Sequence, residues 1–265
     1  MKLSDFNEIE VPILYEDESC IFIHKPAGLN VHGDGKTREY TLADWILEYH
    51  PTLAAVGEHM QIQFKGETLE IPKPGIVHRL DKETSGVMLL AKTHEAYLFF
   101  KKQFQEREIR KVYHCFVYGW MKEDTMSIDA AIGRDSGSIR RYTTGGTARG
   151  MIREASTEVS VLGRLGALPD GRTYDGKGST EEGTYSFVEA RPRTGRTHQI
   201  RVHLRSVNHP IVADSLYAGK RDPALGFTRL ALHARELTVV LPSGESKTVQ
   251  APYPPDFEKA LRNMA

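Results

Sequence analysis

The chain has 265 residues, 40% hydrophobic and 26% charged, which is ordinary globular composition and enough for one large domain or two small ones. Its 35 basic and 35 acidic residues cancel, so the chain as a whole lacks the basic excess of a non-specific nucleic-acid binder. No apolar run approaches the roughly 18 residues of a membrane span, and the acidic start MKLSDFNEIEVPILYEDES has no signal core. Two cysteines are too few for a disulfide framework or a cysteine zinc site. Cys20 and Cys115 both lie in apolar strand-like contexts and read as buried core; a cytoplasmic protein is expected.

SCIFIHKPAG reads as a short strand, Cys20 to Ile23, running into a Lys-Pro-Ala-Gly turn. TLADWILEYH places Leu42, Trp45, Ile46 and Tyr49 at helical spacing behind Thr41 as N-cap. Residues 51–75 have weak periodicity and read as a connecting excursion. GIVHRLD and VMLLAKT read as strand edges on either side of the loop HRLDKETSG. HEAYLFFKKQFQERE is a helix with Ala96, Phe99, Phe100 and Phe104 as its apolar stripe. KVYHCFVYGW alternates as a strand, with Tyr113 and Tyr118 on opposite faces.

An arginine-containing loop follows, then strand ASTEVSVLG, a polar loop over 164–184 with no assigned role, and strand YSFVEARP. TGRTHQIRVHLRSVNHP switches to helical spacing, with Ile200, Leu204 and Val207 apolar, Thr197 as N-cap and Pro210 closing it. LALHARELTVVLPSGE forms a last strand pair, and a short helix ends the chain. The expected fold is α+β, one domain over 1–265, with a mixed, largely antiparallel sheet flanked by helices.

Charge is uneven along this order. Residues 191–205, RPRTGRTHQIRVHLR, hold five arginines, two histidines and no acid. Gly133 to Glu154 holds five arginines against two acids. A locally basic surface on a neutral chain follows.

Three apparent motifs fail. GDGKT at 33–37 lacks the first glycine of a phosphate-binding P-loop, because that position is Asn30. His198 and His203 are five apart and point away from each other on a helix, and no HExxH accompanies them. HRLD is not the H-R-D of a kinase loop. No nucleotide, cofactor or metal is expected. In GRTHQIRVHLR, Arg201 and Arg205 share a helix face beside the apolar stripe. There a buried charge requires a partner, and Asp81 is one candidate. Spacing leaves Asp81 either a solvated loop acid or a reactive carboxylate.

GIVHRLDKETSGVMLLAKT, RKVYHCFVYGW and RPRTGRTHQIRVHLRSVNHPIVAD resemble, in order and spacing, the motifs of the RluA-type pseudouridine synthases. KPAGLNVHGDG resembles that family's first motif, and the likeness spans roughly residues 13–255. It implies an enzyme that isomerises uridines in ribosomal or transfer RNA without cofactor. By this resemblance Asp81 is the catalytic aspartate, Tyr113 lies against the base, Arg201 pairs with the aspartate, and Arg79 enters the RNA as the nucleotide flips out. His78, Arg134, Arg140, Arg141, Arg149, Arg153, Arg196, His198 and Arg205 are the expected RNA contacts. Cys115 stands where the family often has alanine. The S4-type module many members carry is expected to be absent, and a monomer is expected. A non-catalytic RNA-binding or RNA-chaperone relative is the alternative, against which the joint presence of Asp81, Tyr113 and Arg201 argues.

Overall fold

Apolar residues on both faces of SGVMLLA make a fully enclosed strand, and CIFIHK is enclosed except at half-buried His24, as expected for a sheet covered on both sides. The computed structural model describes residues 9–35, 39–64, 66–138, 141–166 and 183–262. These group into two compact units, one from the chain up to Arg110 with Ala234–Pro252, the other from Lys111–His233 and the segment from Tyr253 onward.

In the first unit β1 (Ile13–Glu16) pairs antiparallel with β2 (Cys20–Lys25), and a turn of Pro, Ala and Gly leads toward α1 (Leu42–Tyr49). Thr41 caps α1 in a reciprocal box with Asp44, as its position before the periodic run requires. The excursion over 51–75 contains a hairpin, β3 (Met60–Phe64) with β4 (Glu67–Ile71), turned at Gly66 with φ +87°. Its alternation is muted because both strands stay largely exposed. β5 (Ser85–Ala91) pairs antiparallel with β2, and α2 (His94–Glu106) packs on β5.

GIVHRLD is not a strand; Ile76 alone bridges to Leu90, and the following residues run as an extended loop. The stripe of α2 is also rotated from expectation: Ala96, Tyr97, Phe100 and Gln103 are buried while Phe99 is exposed. Gln103 is tolerated inside because its amide later finds a backbone partner.

The second unit opens with β6 (Arg110–Tyr118), then β7 (Thr125–Asp129). The expected arginine loop is instead a small antiparallel sheet of β8 (Ile132–Asp135), β9 (Tyr142–Thr143) and β10 (Ala148–Arg153), in the order β10-β8-β9. Its polar, glycine-rich strands hide the alternation that marks a half-buried sheet. β11 (Ser156–Leu165) and β12 (Tyr185–Pro192) complete an antiparallel run β6-β12-β11-β7. Most of the 164–184 loop lies outside the described residues.

α3 (Gln199–Ser206) packs on β11 and β12. Its N-cap is His198 in the left-handed region at φ +56°, not Thr197, and no side-chain cap bond is made; the side chain of Gln199, the first helical residue, turns back to accept from Arg196 N instead. The run LALHARELTVVLPSGE holds β13 (Leu232–Val240) and the turn after it, while its antiparallel partner β14 (Ser246–Gln250) lies just beyond the expected pair; β13 neighbours β5 in the first unit. There Gln103 donates to Val240 O at 2.8 Å and accepts from Val240 N at 3.0 Å. α4 (Pro255–Arg262) returns to the second unit, where Phe257 joins Phe116 and Phe227 in the core. The architecture is α+β with antiparallel pairing dominant.

Candidate active site

The loop HRLDKETSG is held at nearly every residue. Leu80 and Thr84 are buried, Asp81 is half-buried, and Arg79, Lys82 and Glu83 face outward. His78 Nε2 accepts the Leu89 amide at 3.0 Å, and its ring stacks on Phe104 of α2 with centroids 4.6 Å apart. Thr84 N donates to Asp81 O at 3.1 Å, closing the turn around Lys82 and Glu83. Asp81 therefore sits on a backbone whose course is set from both ends.

Lys25, at the end of β2, secures the same loop. It is fully buried, and its ammonium donates to Pro26 O at 2.7 Å, Leu29 O at 2.8 Å and Lys82 O at 3.2 Å. Gly28 N adds a bond to Lys82 O at 2.8 Å. A buried lysine needs compensating acceptors, and here the Lys-Pro-Ala-Gly turn and the aspartate loop supply them. The signal in sequence was a lysine closing a strand that is apolar through Ile23.

Arg79 is exposed, and its Nη1 donates to His32 Nε2 at 3.4 Å. His32 Nδ1 in turn donates to Gly33 O at 2.9 Å, which makes Nε2 the acceptor. Burial, with Lys73 and Arg79 nearby, holds His32 below the usual histidine range, so the ring is neutral near pH 7.

In the second unit Tyr113 on β6 is half-buried opposite Ala190, and Tyr118 on the other face is buried with its hydroxyl donating to Asp222 O at 2.7 Å. Arg201 is 7% exposed and grips Asp214 with two nitrogens, Nε to Oδ2 and Nη2 to Oδ1, both at 2.8 Å. Asp214 Oδ1 also accepts the amides of Leu216 and Tyr217, and the Arg201 guanidinium lies 5.1 Å from the Tyr217 ring centroid. A two-nitrogen fork aligned this way is the strong form of an arginine–carboxylate pair. Asp214, within the quoted VNHPIVAD run, was not singled out from sequence.

The loop ahead of α3 is organised by buried Gln199. Its Oε1 accepts from Thr194 Oγ1 at 2.6 Å and Arg196 N at 3.0 Å, and its Nε2 donates to Ser156 O and Thr157 Oγ1, both at 2.9 Å. Arg196 Nε donates to Glu154 O at 3.0 Å. His198 Nδ1 lies 2.9 Å from Tyr217 Oη. Arg205, one turn after Arg201, is exposed, so the two arginines of α3 differ in burial. His203 places Nδ1 on Thr157 Oγ1 and Nε2 on Ala130 O, both at 2.9 Å, leaving neither nitrogen for a metal. Arg134, Arg141, Arg149 and Arg153 are exposed on the small sheet; Arg140 lies outside the described residues. Both cysteines are buried, and burial pushes Cys20 up to about 12 and Cys115 up as well. Neither is a nucleophile near neutral pH.

The family model for RNA pseudouridylate synthase matches residues 19–206. An RNA pseudouridine synthase of Synechocystis is 37% identical over 254 residues, covering 96% of this chain and 68% of that protein. The ribosomal large subunit pseudouridine synthase D of Neisseria meningitidis serogroup B is 36% identical, covering 94% of this chain and 60% of its own length. The chain thus spans about three-fifths to two-thirds of these relatives. Two human proteins, RNA pseudouridylate synthase domain containing 1 and 4, share the fold at 24% identity. Their TM-scores are 0.69 and 0.67, with 92% and 95% of this chain and 84% and 92% of theirs covered. The family match runs through both the braced aspartate loop and the whole of the arginine helix, so the chain belongs to the RNA pseudouridylate synthase family.

Proposed function

We propose that the protein isomerises specific uridines to pseudouridine in RNA, with ribosomal RNA favoured over transfer RNA by the names of its relatives. The observation that carries this reading is Asp81: a half-buried carboxylate on a loop fixed by Lys25, His78 and the Thr84 turn, inside the matched family region. Asp81 is the catalytic carboxylate. Tyr113 lies against the base and takes the C5 proton. Arg201, oriented by Asp214, is the cation that pairs with Asp81 and keeps it ionised where water is scarce. Arg79 fills the place left when the target nucleotide leaves the stack, since a stacked base cannot be reached in position.

The reaction balances without a redox partner. The C1′–N1 bond breaks, C1′–C5 forms, C5 loses a proton and N1 gains one. We assign no cofactor or metal. Arg134, Arg140, Arg141, Arg149, Arg153, Arg196, His198 and Arg205 are the assigned RNA contacts. His78 is assigned to holding the loop, because Nε2 and one ring face are committed to β5 and α2. We assign residues 1–265 to one catalytic domain, acting as a monomer in the cytoplasm; no described helix is long and apolar enough to cross a membrane.

Uridine RNA tritiated at C5 tests the reading. Wild-type protein without nucleotide or metal releases tritium to water, and Asp81→Asn releases none above background. Absence of release by wild type from ribosomal and transfer RNA alike would refute it and favour the non-catalytic RNA-binding relative.

A further inference from the structure

The small sheet β10-β8-β9 sets two arginines side by side. In its ladders Arg149 of β10 lies directly opposite Arg134 of β8, and Arg134 lies directly opposite Tyr142 of β9. Residues paired this way project to the same side, with Cα atoms about 5 Å apart. The three therefore form one row across the sheet, two arginines followed by a tyrosine. Their neighbours along each strand turn the other way, Ala148 pairing with Asp135 and Gly133 with Thr143. A Cβ on Gly133 would meet Ala148 Cβ at 3.0 Å and Ile152 Cγ1 at 3.1 Å, which puts Ile152 on that second face as well.

The arginine face is the one turned toward α3. Ile132, two residues before Arg134 and so on its side of β8, is buried with Val202 of α3 and Tyr217. Tyr142 packs on that cluster. Its ring meets the His198 ring edge-on with centroids 5.8 Å apart, and its amide donates to Tyr217 Oη at 2.9 Å. The row thus starts beside the helix that carries Arg201 and runs outward, from half-buried Tyr142 to exposed Arg134 and Arg149.

Like charges directly opposite each other weaken a strand pair. The only acid within the three strands, Asp135, faces the other side, where Arg141 Nε lies 3.8 Å from it. Among the described residues no carboxylate lies within ion-pair distance of Arg134 or Arg149. One exposed arginine in water is ordinary. Two set against each other on paired strands are stabilised by an anion placed between them.

We propose that Arg134 and Arg149 together grip one backbone phosphate of the RNA substrate, with the adjoining nucleoside lying along the row on Tyr142. A phosphate shared by two guanidiniums removes their repulsion and offers its oxygens to two donor forks. An aromatic ring beside the phosphate gives a base or ribose a surface to lie on, which a free phosphate does not need. The proposal rests on the RNA reading above and makes two of its arginines one coupled site instead of two separate contacts.

The test is a double-mutant cycle on binding of a fluorescently labelled large-subunit ribosomal RNA transcript, measured across a range of potassium chloride. Arg134→Met and Arg149→Met each weaken affinity by about tenfold at moderate salt, and combining them brings no further loss. The double variant lowers the slope of log affinity against log salt by about one, the change expected for a single phosphate. Neither single substitution lowers the urea midpoint, because each removes a repulsion. Additive losses, with a slope change of about two, mean two separate contacts and overturn the clamp. Unchanged transcript affinity in the double variant also overturns it, and is the result expected if the pair binds free phosphate or a nucleotide. A urea midpoint that falls together with affinity assigns the loss to the sheet and overturns it as well. Tritium release decides the RNA reading separately. Release by wild type with unchanged binding in the double variant leaves the enzyme reading standing without the clamp. Coupled, arginine-dependent binding without release by wild type leaves the clamp standing and removes the enzyme reading.

Discussion

Asp214 and Arg201 form a buried pair in which neither partner can be removed without stranding the other. Removing one member of such a pair costs about 3–5 kcal/mol, because the remaining charge keeps its desolvation penalty. Asp214→Asn keeps the shape and loses the charge. It is expected to lower unfolding stability by about 3 kcal/mol in urea titration and to reduce tritium release beyond what the unfolded fraction explains. Full activity in a folded Asp214→Asn would remove Arg201 orientation from the mechanism. The need for a carboxylate beside Arg201 was legible from its place at the edge of an apolar stripe. The identity of Asp214 was not, since helical periodicity says nothing about the turn that follows the helix. Tyr118 behaved as its strand position suggested, a core tyrosine with a satisfied hydroxyl.

Among the elements, β5 depends most sharply on one residue. Gly86 has φ +123°, and a Cβ there would lie 2.2 Å from Ala234 O and 2.6 Å from Ala234 N. Both neighbours are backbone of β13 and cannot rotate away, so the contact is relieved only by moving a strand. Gly86→Ala is expected to cost about 3 kcal/mol or more and to disturb the loop bearing Asp81. A loss below about 1 kcal/mol in denaturant unfolding would mean that β5 and β13 separate easily. At this scale the sequence was readable where signals are local. α1 and its cap, α2, β6, β11, β12 and β13 lie where periodicity put them, whereas β14 falls just past the run read as the last strand pair. The hairpin β3–β4 and the small sheet of β8, β9 and β10 were missed because exposed strands do not alternate strongly. The stripe of α2 was rotated because Gln103, polar by type, is buried by a partner 137 residues away.

For the molecule as a whole, acid is the condition that discriminates. Burial is the first cause holding His32, His203 and His209 below their ordinary range. Each is kept neutral when folded and accepts a proton more readily when unfolded. The unfolded state therefore binds more protons below about pH 6.5, and stability falls as pH drops through that value toward the depressed folded values. Urea midpoints are expected to be lower at pH 5.5 than at pH 7.5, with net proton uptake on unfolding. Equal midpoints would show that these rings are solvated in the native protein.

The amino-acid order was sufficient for the α+β class, for most element positions and for the family, since capping, alternation and motif spacing are expressed within a few residues. Whether Asp81 sits on a loose loop or a braced one was decided only in three dimensions. Lys25 reaches Lys82 O across 57 residues, and Arg201 finds Asp214 beyond the end of its own helix. Hydrogen bonds of that kind depend on which chain segments are brought together, and no periodicity in either segment encodes the other.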